Sequence, residues 1–210
     1  MDSKTTYSED LKTIKKIMEE SSRFLSLSGL SGLFAGLIAL IGVNIAYFVI
    51  LKSRTLLIDE HFMNILTSET NTIRIQLIID AVSVLILAIG VSFYFSSRKA
   101  HLQGLKLWTP VSKRLFANFL IPLVSGGVFI IMLYIQNYMQ LLVPAMLIFY
   151  GLALVNAGKF TYNEVFYLGL AEVLTGLFSA IFPGYGIFFW CLGFGFLHIG
   201  YGLIMYRKYE

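Results

Sequence analysis

FLSLSGLSGLFAGLIALIGVNIAYFVIL, residues Phe24 to Leu51, carries no charged side chain. About 20 mostly apolar residues suffice for a helix to cross the hydrocarbon core of a bilayer. The run is continuous rather than alternating, and it is about twice as long as a membrane β-strand, so it reads as a helix. Outward from it, five more runs of the same kind follow: Ile75 to Ser97, Leu115 to Ile135, Met139 to Ala157, Tyr162 to Phe182 and Gly186 to Tyr206. None contains Lys or Arg. Short links rich in breakers join the later ones: Gln136-Asn137-Tyr138, Gly158-Lys159-Phe160-Thr161 and Pro183-Gly184. The fold class expected is an all-α membrane protein, a bundle of six transmembrane helices (24–51, 75–97, 115–135, 139–157, 162–182, 186–206) preceded by an amphipathic arm, residues 1–23.

Composition agrees. Of 210 residues, 57% are hydrophobic and 13% charged, against roughly a quarter charged in a soluble domain. The first run is longer than the apolar core of a signal peptide and follows a mixed-charge segment, so it is expected to stay as a spanning helix. The one cysteine, Cys191, excludes an intramolecular disulfide and a cysteine metal cluster.

Basic residues fix the expected orientation. Thirteen of the sixteen Lys and Arg residues fall in the arm (Lys4, Lys12, Lys15, Lys16, Arg23), the second link (Arg98, Lys99, Lys106, Lys113, Arg114), the fourth link (Lys159) and the tail (Arg207, Lys208). Only Lys52, Arg54 and Arg74 flank the other side. Positive flanks face the cytoplasm, so both ends are expected there. An odd number of crossings would abolish the asymmetry.

Three segments outside the runs look amphipathic. In the arm, Tyr7, Leu11, Ile14 and Met18 recur at helical spacing, and in the first link Ile58, Phe62, Ile65 and Leu66 do so. The second link interleaves Arg98, Lys99 and Lys106 with Leu102, Leu105 and Trp108, a pattern suited to anchoring on lipid headgroups. The partners expected are therefore the lipid bilayer and its anionic headgroups, with a homodimer or a membrane partner protein as the further alternative. The pI of about 9.1 follows from the topology, and nucleic acid is not expected as a partner.

Ionisable groups at bilayer depth mark the places to look for function. At about 1.5 Å of rise per residue, Glu172 and His198 come to similar depths in the last hairpin, where they form the first candidate polar pair. Asp80 and Asn44 share a depth on the first two helices and form the second. The first reading of each pair is interhelical glue; the sharper one makes Glu172 and His198 a proton relay. Tyr150, Tyr167 and Ser125 lie at neighbouring depths.

Small residues supply a packing signal. Ser28-Gly-Leu-Ser-Gly32-Leu-Phe-Ala-Gly36 forms a ladder on the first helix, and Gly186, Gly193 and Gly200 recur at seven-residue spacing on the last, with Gly195 and Gly202 beside them. Gly32, Gly36, Gly193 and Gly200 are the expected helix-packing positions. Pro122 and Pro144 are expected inside the third and fourth helices, where proline removes a backbone hydrogen bond.

No phosphate-binding glycine loop, zinc motif or cysteine pair occurs, so no catalytic residue, metal site or cofactor is read. Ser125 and His198 share a depth, but no oxyanion-stabilising motif accompanies them.

Phe149-Tyr-Gly-Leu-Ala-Leu-Val-Asn-Ala-Gly-Lys159, Phe182-Pro-Gly-Tyr-Gly186, Met205-Tyr-Arg-Lys-Tyr-Glu210 and Ser26-Leu-Ser-Gly-Leu-Ser-Gly-Leu33 give the chain a further aspect. Through them it resembles a family of small six-helix bacterial inner-membrane proteins. The resemblance implies a bacterial inner-membrane setting and supplies no activity, substrate or site residue. The function expected from sequence is a non-enzymatic accessory or sensory membrane subunit acting through lipid or protein contacts. The alternative is a small proton- or ion-coupled transporter using Glu172 and His198.

Overall fold

A computed structural model of the protein describes residues 24–50 and 71–210. The amphipathic arm and the patch from Ile58 to Leu66 lie outside the described residues. Six helices follow in order: α1 (Gly29–Asn44, continued by a π-helical turn Ile45–Ile50), α2 (Asn71–Leu102), α3 (Pro110–Ile135), α4 (Leu142–Gly158), α5 (Asn163–Ile181) and α6 (Gly186–Tyr209). All six carry spans long and apolar enough to cross a membrane, and the chain is an all-α membrane bundle.

Local chemistry sets the helix ends. Thr109 and Ser112 form a reciprocal capping box at the start of α3, with Pro110 in the first helical position where no N–H is needed. Asn137 at φ 61° and Gly184 at φ 101° turn the chain after α3 and α5. Several bounds differ from those expected. Residues Phe24 to Ser28 are not helical, so the first span opens at Gly29 rather than 24. The interfacial link expected from Arg98 to Trp108 begins instead as the last turn of α2, which runs on to Leu102. Pro144 lies in the first turn of α4, where it costs no intrahelical bond, whereas Pro122 is inside α3.

The helices form a row, α2 on α1, α1 on α6, α6 on α5, α5 on α4 and α4 on α3, folded so that α6 also touches α4. Close backbone approach holds the row together, as expected where lipid removes the hydrophobic drive between helices. A Cβ on Gly36 would lie 2.7 Å from the Gly195 carbonyl of α6, and one on Gly202 would lie 2.8 Å from the Gly29 carbonyl. Gly32 faces Tyr201 and Gly202. On the other side, Gly151 of α4 and Gly169 of α5 face one another reciprocally, each 2.7 Å from the other's carbonyl by the same measure. The stripe expected on the last helix is corrected. Gly195 and Gly202 meet α1, Gly193 meets α4 and α5, and Gly200 has nothing within 4 Å.

The outer helices of the row are bare. On α2, Ile79 and Ile86 are about 60% exposed, and Ile121 of α3 is 68% exposed. In water such continuous apolar faces would drive association; in a bilayer they contact lipid tails.

The extended residues Phe24 to Ser28 lie across one face of the bundle and are stitched to it. Phe24 donates its N–H to the Phe160 carbonyl at 2.7 Å and accepts from Thr161 Oγ1 at 2.6 Å. Tyr162 Oη donates to the Leu25 carbonyl, and Lys99 Nζ to the Leu27 carbonyl at 2.9 Å. The Glu210 carboxylate takes the Ser28 hydroxyl and the Gly29 N–H, both at 2.7 Å, capping the positive end of α1. Lys99 Nζ stands 3.6 Å from the same carboxylate. Lys99 is thus buried and engaged by protein, not a free headgroup anchor as expected. Arg98, Lys106 and Trp108 remain exposed, Trp108 against Phe116. These bonds gather the start of α1, the end of α2, the α4–α5 link and the end of α6 on one face, the grouping that the basic residues require.

Candidate functional site

Tyr150 is central in α4, Glu172 in α5 and His198 in α6, each roughly 12–18 Å from either end of its helix at 1.5 Å per residue. They meet halfway through the bundle. His198 Nδ1 lies 3.3 Å from Glu172 Oε1, and Tyr150 Oη lies 2.8 Å from His198 Nε2. The Tyr150 and His198 rings stack at 5.5 Å.

Backbone irregularity builds this geometry. The middle of α6, Cys191–Leu197, is π-helical, a form common at functional sites. Across this wider turn the Gly193 carbonyl, five residues back, sits 3.1 Å from His198 Nδ1. A carbonyl only accepts, so Nδ1 carries a hydrogen, and in the neutral ring Nε2 accepts from the Tyr150 hydroxyl. The Nδ1–H is directed at Gly193, which leaves Glu172 close to the ring yet without a hydrogen bond. Both Glu172 oxygens are buried and unbonded. Glu172 itself is 0% exposed. Gly193 admits the carboxylate: a Cβ there would lie 2.6 Å from Glu172 Oε2 and also meet Leu147. The role of Gly193 is therefore to make room for Glu172.

Asp80 and Asn44 are arranged differently. Asn44 spends its amide on the Leu40 carbonyl of its own helix at 2.8 Å, and among the described residues Asp80 has no partner. Asp80 instead lines a cavity of about 190 Å³ at the face opposite Glu210. The ends of all six helices contribute to it, including Tyr134, Gln140, Ser179 and Trp190. Ser179 is buried and its hydroxyl has no hydrogen-bond partner.

Aromatic rings lead from this vestibule toward the central cluster. Trp190 in the vestibule wall packs on Phe194 at 5.4 Å, and Phe194 on Tyr150 at 5.3 Å and on His198 at 6.2 Å. Glu172 does not line the vestibule; the rings stand between. Toward the other face the way is filled by Leu154, Tyr162, Val165, Leu168, Tyr201 and Met205. Ser125 hydrogen-bonds the Ile121 carbonyl within exposed α3 and plays no part in the cluster. Among the described residues no group of three His, Cys, Asp or Glu side chains could hold a metal.

No family model matches the chain, and neither a curated protein nor a solved structure matches it.

Proposed function

We propose that the protein is a small carrier of the bacterial inner membrane that couples solute movement to protons, with Glu172 and His198 as the proton-carrying pair. The observation that carries this reading is the Glu172 carboxyl: central in the bundle, fully buried, bare of hydrogen bonds, and 3.3 Å from an imidazole nitrogen. A charge there is costly unless a proton or a counter-charge neutralises it. When a proton arrives at His198 Nε2, the Nδ1 proton can pass to the Glu172 carboxylate, while the Tyr150 hydroxyl turns from donor to acceptor and keeps its own proton. The vestibule approaches the pair from one face as far as the Trp190–Phe194 rings, and the stitched segment around Phe24 to Ser28 closes the other. With the basic flanks cytoplasmic, the vestibule opens on the outer side of the membrane.

The accessory or sensory role has its own support in α2 and α3, which end the row and expose apolar faces to lipid or a partner. Proton flux separates the two. In proteoliposomes loaded with a pH-sensitive dye and driven by a potassium diffusion potential, the wild-type protein is expected to conduct protons above protein-free vesicles. Glu172→Gln should return the rate to that background while leaving helicity and monodispersity unchanged. Equal rates for wild type, Glu172→Gln and empty vesicles would overturn the carrier reading.

A further inference from the structure

We infer that the vestibule is a binding site for a small organic ammonium ion, a protonated amine on a compact apolar or monocyclic aromatic body. As the substrate class of the carrier, this rests on the transport reading above; as a binding site, it stands on the vestibule alone.

Size comes first. A cavity of about 150 Å³ lined by apolar side chains holds benzene, and the vestibule measures about 190 Å³. It therefore suits one ring or a short branched chain with a polar head, not a drug-sized molecule. Charge comes second. Asp80 is the acidic residue in the wall, and it has no partner among the described residues. A carboxyl in largely apolar surroundings is neutralised either by a proton or by an opposite charge, and the ligand that supplies the second is a monovalent cation. Ligand chemistry comes third. A bare metal ion takes six or more oxygen ligands or a tight nitrogen and sulfur set, and this wall offers one carboxylate among mostly apolar groups. An ammonium group needs only acceptors for its N–H bonds. Asp80 provides them. Trp190 and Tyr134 line the same wall, and aromatic rings attract both a cation and another ring.

Trp190 also supplies the readout. The chain has two tryptophans, and the other, Trp108, lies at the opposite face against Phe116. In a Trp108→Phe protein, emission reports on the vestibule wall. Titration with benzylamine at neutral pH, in detergent and without any gradient, is expected to give a saturable change in Trp190 emission. Asp80→Asn should weaken it at least tenfold, and benzyl alcohol, of the same shape without the charge, should bind at least tenfold more weakly than the amine. Asp80 makes no bond among the described residues, so Asp80→Asn should fold; an unchanged melting midpoint checks this. Equal affinity in Asp80→Asn, or equal affinity for the alcohol, overturns the inference. So does the absence of saturation in the protein that keeps Asp80. Binding and proton flux are read separately, so either can fail without the other.

Discussion

Substituting methionine for Glu172 separates a residue kept for function from one kept for packing. The carboxyl is completely buried and neither oxygen is hydrogen-bonded. A buried polar group left unsatisfied costs about 1–3 kcal/mol. Methionine has nearly the same length and flexibility, can occupy the hollow beside Gly193 and Leu147, and removes the cost. His198 does not become an orphan in exchange, because Tyr150 holds Nε2 and the Gly193 carbonyl holds Nδ1. The protein should therefore gain about 1–3 kcal/mol. For a chain of this length each kcal/mol moves the melting midpoint by about 2–4 °C, so a rise of roughly 2–12 °C is expected. Intrinsic fluorescence during heating in one detergent, at one scan rate, measures it. The same variant should conduct no protons, a gain of stability against a loss of activity. A midpoint that falls by several degrees would refute the reasoning, since it would mean that Glu172 stabilises the bundle as interhelical glue.

Two further outcomes follow from the geometry. Gly202→Ala should lower the midpoint by several degrees, because its methyl would meet the α1 backbone at Leu33 and Gly29, which cannot swing aside, and overpacking of this kind costs about 1–3 kcal/mol or more. Gly200→Ala, with open space beyond it, should be neutral or stabilising by up to about 1 kcal/mol through helix propensity; equal losses in the two variants would contradict the packing described. For orientation, alkaline phosphatase fused after Glu210 should be inactive and a fluorescent protein fused there bright; an active phosphatase would reverse the assigned topology.

The six spans were legible because a bilayer imposes length and excludes Lys and Arg, both visible in a linear sequence. The meeting of Glu172 and His198 was legible for a related reason: depth in an antiparallel hairpin is a count of residues. Other features depend on what a count omits. Seven-residue spacing suggested one stripe through Gly193 and Gly200, but the π-helical turn Cys191–Leu197 changes the period inside α6 and sends neighbouring glycines to different partners. Lys99 reads as a lipid anchor until the non-helical Phe24–Ser28 segment, whose carbonyls take side-chain donors, is seen beside it. The vestibule draws on the ends of all six helices, and no local pattern announces such a convergence. Asn44 could not be separated from Asp80 by depth alone, since a side chain that bonds its own helix has the same depth as one that crosses to another.

The stitching at Phe24 has a mechanical consequence. Phe24 is bound through both its N–H and its carbonyl to Phe160 and Thr161, the link between α4 and α5. Those two helices carry Tyr150 and Glu172. Phe24 is therefore pinned by two hydrogen bonds to the hairpin that carries Tyr150 and Glu172. A load on the chain ahead of Phe24 would fall first on these two hydrogen bonds, and so on the α4–α5 link.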